Sequence, residues 1–222
     1  TYYGGFIGGF VVLLGWEFWK KLPIRLSMDI VAPAIVIGLG FGRIGCLLNG
    51  CCWGQVCELP WAITYPYGSA VYEQDVDEGV ITPPRELIVP VDPKDPSAGL
   101  RLMPEERAFT DPQLASIARD SRSIGRHPTQ VYSTLAAFAI AGVCIAYFVL
   151  PCAPGKSFAA MLMMEGSSRF TIETLRVDPI VWGSMSYSMI IAALLVLLGI
   201  VLWIVFQLLG PHEKSAPVPV QA

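Results

Sequence analysis

The sequence predicts an all-α polytopic membrane protein, a bundle of about five transmembrane helices carrying a small extracytoplasmic head domain. Three observations predict it. The 222 residues are 54% hydrophobic and 15% charged, well under the usual quarter charged, and mean hydropathy is +0.55, which sets aside a single apolar soluble domain. Five apolar segments approach the roughly 20 residues that a bilayer crossing requires. The lysines and arginines of the short connections gather on one side when those five segments alternate. The net charge of −3 comes with no basic patch, so nucleic acid is not an expected partner.

The segments follow in order. The first, about Tyr3 to Trp19, holds Gly4, Gly5, Gly8 and Gly9, which allow close helix approach. The second runs from about Asp29 to Leu48, the third from Gln130 to Leu150, and the fourth from Ser157 to Leu175. The fourth carries Glu165, Arg169, Glu173 and Arg176 and would score poorly on hydropathy alone. The fifth, about Met185 to Leu209, contains "MIIAALLVLLGIVLWIVFQLLG" and no charge. Lys20, Lys21 and Arg25 follow the first segment, Lys156 the third and Lys214 the fifth. That side is expected to be cytoplasmic. The chain opens Thr1-Tyr2-Tyr3 with no signal-peptide pattern, and the true N-terminus, with further helices, is expected to precede it.

This divides the chain into residues 1–52, two helices and a polar block; 53–127, the outer head; 128–210, three helices; and 211–222, a disordered cytoplasmic tail. Within the head, "TPPRELIVPVDPKDP" reads as irregular and "WAITY" as a short strand. Asp111 and Pro112 read as the N-cap and first position of a short helix. Its face of Leu114, Ile117 and Ala118 is expected to lie on the membrane or the bundle.

The polar residues inside apolar segments point to function. Arg43 sits late in the second segment, where a charge costs roughly 3 kcal/mol; the plainer reading is an arginine snorkelling to the headgroups. Glu165, Arg169, Glu173 and Arg176 are spaced by four, four and three residues, which places them on one helical face. An internal ladder of ion pairs is the plainer alternative. Together with Arg43 they outline a polar cavity, and two guanidinium forks suit a phosphate, most simply a phospholipid headgroup. "RHPTQVY", Arg126 to Tyr132, opens the third segment with His127, Gln130 and Tyr132.

Four blocks, "YGGFIGG", "GFGRIGCLLNGCCWG", "RHPTQVY" and "SSRFTIETLRVD", together resemble the prolipoprotein diacylglyceryl transferase family. The second is similar to its Gly-Arg-x-Gly-Asn-x-x-Asn-Gly-Glu-x-x-Gly signature, the third to Arg-His-Pro-Ser-Gln-Leu-Tyr, the fourth to Phe-Arg-x-x-x-Glu-x-x-Arg. The resemblance runs from the third family helix onward, so the first two family helices are expected to be missing. It implies transfer of a diacylglyceryl group from phosphatidylglycerol to a lipobox cysteine thiol, with glycerol phosphate leaving. It implies a multi-pass protein of the bacterial inner (plasma) membrane. The implied catalytic residues are Arg43, Arg169, Glu173 and Tyr3, the last at a position where the family has histidine. Arg43, Asn49, His127, Gln130, Tyr132 and Arg176 would bind substrate. The expected partners are phosphatidylglycerol, the prolipoprotein signal peptide with its lipobox cysteine, and membrane lipids. No cofactor and no metal are expected. The chain departs from the family pattern at Cys46 for asparagine, Cys51 for glutamate and Glu165 for tyrosine.

Cys46, Cys51, Cys52 and Cys57 fall within twelve residues. Three readings stay open: a disulfide of Cys51 or Cys52 with Cys57, which an outer compartment would preserve; free thiols packed as small apolar groups; and a metal site, which the missing C-x2-C spacing disfavours. The cysteines are expected to stiffen the turn and leave the chemistry to the incoming thiol. Cys144 is expected to pack. Two other function classes are a non-catalytic lipid-binding family member and a thiol-dependent membrane enzyme acting on another substrate.

Overall fold

The structure is a computed structural model that describes residues 2–92, 95–150, 153–176, 183 and 185–210, with the backbone alone for 2–7, 10, 14 and 96–98. Cys152, Lys214 and the 211–222 tail lie outside the described residues, as does the Tyr3 side chain. The elements are α1 (Tyr2–Lys20), α2 (Ile24–Leu48), α3 (Ala70–Asp77), a 3-10 turn (Arg85–Leu87), β1 (Ile88–Asp92), β2 (Asp95–Leu102), α4 (Glu105–Ala108), α5 (Pro112–Asp120), α6 (Thr129–Val149), α7 (Lys156–Glu173) and α8 (Tyr187–Leu208). Helices thus stand at all five expected positions. Among the described residues α2, α6 and α8 are long and apolar enough to cross a membrane. The chain is a mostly helical membrane protein built as two compact units.

The first unit comprises residues 1–42, 133–174 and 178–222. Its core is made of small and medium side chains: Ala32 and Val36 of α2, Ala137, Ile140, Ala141 and Cys144 of α6, and Met161 and Leu162 of α7. Cys144 is 1% exposed and packs as expected. The α2 helix begins five residues before the expected Asp29, and that aspartate is the reason the early turn matters. Asp29 is buried and its carboxylate accepts from Gly155 N at 2.6 Å and Phe158 N at 2.9 Å. Gly155 is the N-cap residue of α7 and has no side chain to cap with, so Asp29 satisfies that helix start from a neighbouring helix. Arg25 donates to Pro154 O and Gly210 O, and Lys156 bonds Gln207. The start of α2, the start of α7 and the end of α8 therefore meet at one end of this unit, as alternating helices require. Asp29→Ala is expected to cost about 1–2 kcal/mol and lower the thermal midpoint of the detergent-solubilised chain. An unchanged midpoint would refute the capping role.

The second unit comprises residues 43–132 and 175–177. Tyr67, Tyr72, Leu87, Met103, Ala108 and Ala118 form its core. Asp111 does cap α5, accepting from Gln113 N at 2.9 Å with Pro112 in the first turn. The α5 face is corrected: Ala118 is buried in this core, and Leu114 and Ile117 pack against it. The proline-rich stretch is regular in part, from Arg85 to Asp92. β1 and β2 form an antiparallel hairpin in which Ile88 faces Leu102 and Pro90 faces Leu100, with a bulge between Pro90 and Asp92. A two-stranded sheet has two outer edges, so proline's missing N–H is tolerated. The "WAITY" segment contributes a single bridge, Ile63 to Arg126. Residues 121–127 lie between two flanking segments: Arg126 also bridges Val56, and Pro66 bridges Arg122.

Beneath that ribbon lies a pair the sequence did not announce. Arg126 and Asp75, 2% and 0% exposed, form an ion pair. The second Asp75 oxygen accepts from Ile124 N at 3.1 Å.

Candidate active site

In the second unit the signature block ends α2. Gly50 takes φ +65, where glycine avoids the penalty of a Cβ. Gly50 N donates to Leu47 O at 3.2 Å and Cys51 N to Cys46 O at 3.0 Å. This pair of bonds is a Schellman closure, as the Asn49-Gly50 step predicts. Arg43 lies half-buried in the last two turns of the helix, and Asn49 is exposed at its end.

The closure has a consequence for the cysteines. It folds residues 51 and 52 back over the helix end, so the sulfurs of Cys46, Cys51 and Cys52 all lie within 4.8 Å of one another. Cys51 Sγ donates to Cys46 O at 3.7 Å. Cys52 is left-handed at φ +61, which costs an L-residue about 1–2 kcal/mol. Two side chains from the start of α6 hold that backbone: Gln130 Nε2 donates to Cys51 O and Thr129 Oγ1 to Cys52 O, each at 2.7 Å. The disulfide to Cys57 is not formed; Cys46, Cys51, Cys52, Cys57 and Cys144 are free thiols. Cys57 is buried and its sulfur accepts from Leu59 N at 3.4 Å.

The "RHPTQVY" residues are brought together around this turn. Gln130, 1% exposed, also donates to the Tyr65 hydroxyl at 3.0 Å. Burial pushes the Tyr65 phenol above its ordinary value, while the Gln130 hydrogen bond pulls the other way, so at neutral pH it stays protonated. His127 Nδ1 lies 3.4 Å from the Tyr132 hydroxyl, which accepts from Trp61 Nε1 at 2.8 Å. Tyr65, Trp61 and Thr129 were missed in the sequence; only Thr129, beside Gln130 in a quoted block, carried a signal there.

Arg176 is a correction. It does not continue the charged helical face, because α7 stops at Glu173. Thr174 and Leu175 form a turn, Gln55 N donates to Leu175 O at 2.8 Å, Gln55 Nε2 donates to Arg176 O at 3.2 Å, and Gly54 bridges Arg176. Arg176 therefore belongs to the second unit. Gly54 is glycine because an added Cβ would sit 2.8 Å from His127 O and 2.9 Å from Leu175 O.

In the first unit Glu165, Arg169 and Glu173 keep their common face on α7. Arg169 Nε donates to Ser188 Oγ at 3.0 Å. Glu173 is buried and accepts from Ser186 Oγ at 3.1 Å. Ser186 is also the N-cap of α8, accepting from Met189 N at 3.2 Å, so the start of α8 positions both charged side chains. A few residues along, α6 and α7 enclose an open groove of about 460 Å³, lined by Ala136, Ala139, Ile140, Val143, Met163 and Met164 with Ser167 and Ser168. It is apolar along its length with hydroxyls on the α7 side, and Arg169 follows Ser168 in the chain. Tyr3 lies in α1.

Comparison with known proteins gives one family. A family model described as prolipoprotein diacylglyceryl transferase matches residues 1–205. The phosphatidylglycerol–prolipoprotein diacylglyceryl transferase of Pseudomonas syringae is 26% identical over 97% of this chain and 64% of its own length. That of Clostridium tetani is 26% identical over 80% of this chain and 51% of its own length. That of Rhodopirellula baltica is 45% identical over 35% of this chain and 16% of its own length. In each case the match covers less than two thirds of the relative.

Proposed function

The chain belongs to the prolipoprotein diacylglyceryl transferase family, and from that premise we propose that it transfers a diacylglyceryl group from phosphatidylglycerol to the lipobox cysteine thiol of a prolipoprotein. The observation that carries this reading is Arg169, on a helix face with Glu165 and Glu173, tethered to Ser188 and next in sequence to the serines of an apolar groove. An apolar groove suits an acyl chain, and a guanidinium suits the phosphate. The substrate thiol gives up its proton to water, its sulfur forms a bond to the glycerol carbon, the carbon–oxygen bond to phosphate breaks, and glycerol phosphate departs with the electron pair. A cation at the phosphate stabilises the charge that grows there. Arg43 is assigned to the same reaction by its place in the signature block, with Asn49 beside the helix end. Glu173 holds charge balance near Arg169. Gln130, His127, Tyr132 and Arg176 shape the second unit toward substrate, and Tyr3 is assigned a catalytic place by position.

All five long helices cross the bacterial inner membrane in this reading. Lys20 and Lys156 lie inside and residues 53–127 outside. A cysteine introduced at Lys156, on a background depleted of other cysteines, should resist an impermeant maleimide added to spheroplasts, and one introduced at Glu78 should react. The reverse pattern would overturn the topology.

The transfer assay uses purified chain, phosphatidylglycerol vesicles and a prolipoprotein peptide. The peptide should gain the mass of one diacylglyceryl unit, and a peptide with serine for cysteine should gain nothing. No gain on the cysteine peptide would leave a lipid-binding family member without transferase activity.

A further inference from the structure

In sequence the cysteines stand as C-x4-C pairs, Cys46 with Cys51 and Cys52 with Cys57, at the wide limit of zinc-site spacing and without the tighter C-x2-C. The fold supplies by a different route what that spacing lacks. The Schellman turn at Gly50 brings Cys51 and Cys52 back onto Cys46, and the three sulfurs lie within 4.8 Å of one another. In a tetrahedral zinc site with Zn–S near 2.3 Å, sulfurs stand about 3.8 Å apart. Closing this triangle on an ion requires shifts of about 1 Å or less, which side-chain rotation supplies.

Three further features mark the cluster as built. Cys52 is held in the left-handed region, uncommon for a residue other than glycine. The carbonyls of Cys51 and Cys52 are fixed by Gln130 and Thr129, each 1% exposed, so the backbone that aims the sulfurs is rigid. All three cysteines are half-buried, shielded yet reachable by an ion from solution. The group contains thiols alone, with neither imidazole nor carboxylate. Soft thiolate donors select zinc over the hard cations magnesium and calcium.

We propose that Cys46, Cys51 and Cys52 hold a zinc ion through three thiolates and that its fourth position receives the thiol of the incoming peptide. The second half rests on the transferase reading above. Three protein ligands with one open position is the arrangement of catalytic zinc. A thiol that coordinates zinc is deprotonated, and the thiolate is the nucleophilic form. The balance is simple. The peptide S–H loses its proton to water on binding zinc, and the sulfur electron pair forms the S–C bond. The C–O bond to phosphate breaks, and glycerol phosphate leaves. No electron is gained or lost by the metal. The cysteines then act in the chemistry, where the sequence alone assigned them to the rigidity of the turn.

The test uses the full chain in detergent under a non-thiol reductant, stripped with a chelator and titrated with Co2+. One equivalent should produce the visible bands of tetrahedral cobalt with near-ultraviolet thiolate charge transfer, and one equivalent of Zn2+ should erase them. Cys46→Ala, Cys51→Ala and Cys52→Ala should each weaken binding on the order of 100-fold, a loss of one ligand being at least as severe as the 10–100-fold loss of a supporting contact. Cys57→Ala should bind as wild type. Absence of these bands in the wild-type chain, whose folding is checked by its thermal midpoint, overturns the metal site and leaves the transferase reading standing. A lipobox peptide should shift the cobalt bands, and its serine counterpart should not. Cobalt bands that the cysteine peptide fails to move overturn the role of the fourth position. Metal binding with no lipid transfer, with or without zinc, overturns the transferase reading and leaves the site.

Discussion

Arg169→Ala is expected to abolish diacylglyceryl transfer, by 100-fold or more, while the protein still inserts and folds. Removing a donor that stabilises developing negative charge costs on the order of 100- to 1000-fold in turnover. Among the described residues the Arg169 side chain makes one hydrogen bond, from Nε to Ser188, worth about 1 kcal/mol, so the fold should survive its loss. Arg169→Lys should recover part of the activity, because it keeps the charge and loses the planar fork. Ser188→Ala is the informative companion. If Ser188 orients the guanidinium, its removal should lower turnover modestly without touching stability. Turnover of phosphatidylglycerol within threefold of wild type in Arg169→Ala would sink the phosphate assignment for this residue. Arg43→Ala tests the other cation independently, in the same assay.

How much of this was legible in the sequence depends on the range of the interaction that fixes each residue. Local rules did well. Asn49-Gly50 announced the end of α2, and Asp111-Pro112 announced the start of α5, because caps and turns are decided within a few residues. Helices α1, α6, α7 and α8 were placed to within two residues by apolar runs. The misses share a different cause. Arg176 looked like the next rung of α7, yet pairing with Gly54 and Gln55, more than a hundred residues earlier, holds it off the helix in an isolated bridge. Asp29 looked like a boundary because its partners, Gly155 and Phe158, lie on a distant helix. The hairpin was hidden by prolines that would exclude a central strand but not this one. The cysteine triangle lay between these cases. Its turn was visible, but the sulfur convergence depends on Cys52 adopting a backbone conformation that sequence spacing does not encode.

The buried pair Arg126–Asp75 was the most consequential of the non-local features, and its disruption carries the second large effect. Asp75→Ala is expected to destabilise the second unit by about 3–5 kcal/mol, the usual cost of leaving one member of a buried ion pair unpaired. Asp75 is fully buried, and Arg126 is nearly so. With the carboxylate gone, the guanidinium keeps, among the described residues, a long contact to Gly54 O at 3.5 Å, and Ile124 N loses its acceptor as well. A loss of this size is a large fraction of the stability of a domain. The consequence reaches the candidate site directly. Arg126 precedes His127, and its backbone joins Val56 and Ile63 on either side, so the ribbon that presents His127 and leads into Gln130 should loosen with it. The measurement is limited proteolysis of the full chain, following cleavage within residues 53–127 against an undisturbed α8. The double replacement Asp75→Leu with Arg126→Met separates charge from shape, since apolar groups of similar volume often replace a buried pair at little cost. It should restore most of the protease resistance that Asp75→Ala loses. If Asp75→Ala is as resistant as the parent chain, the pair does not hold this unit together; if the double variant is no better than the single, the ribbon depends on the Asp75 hydrogen bond to Ile124 rather than on the charge of Arg126.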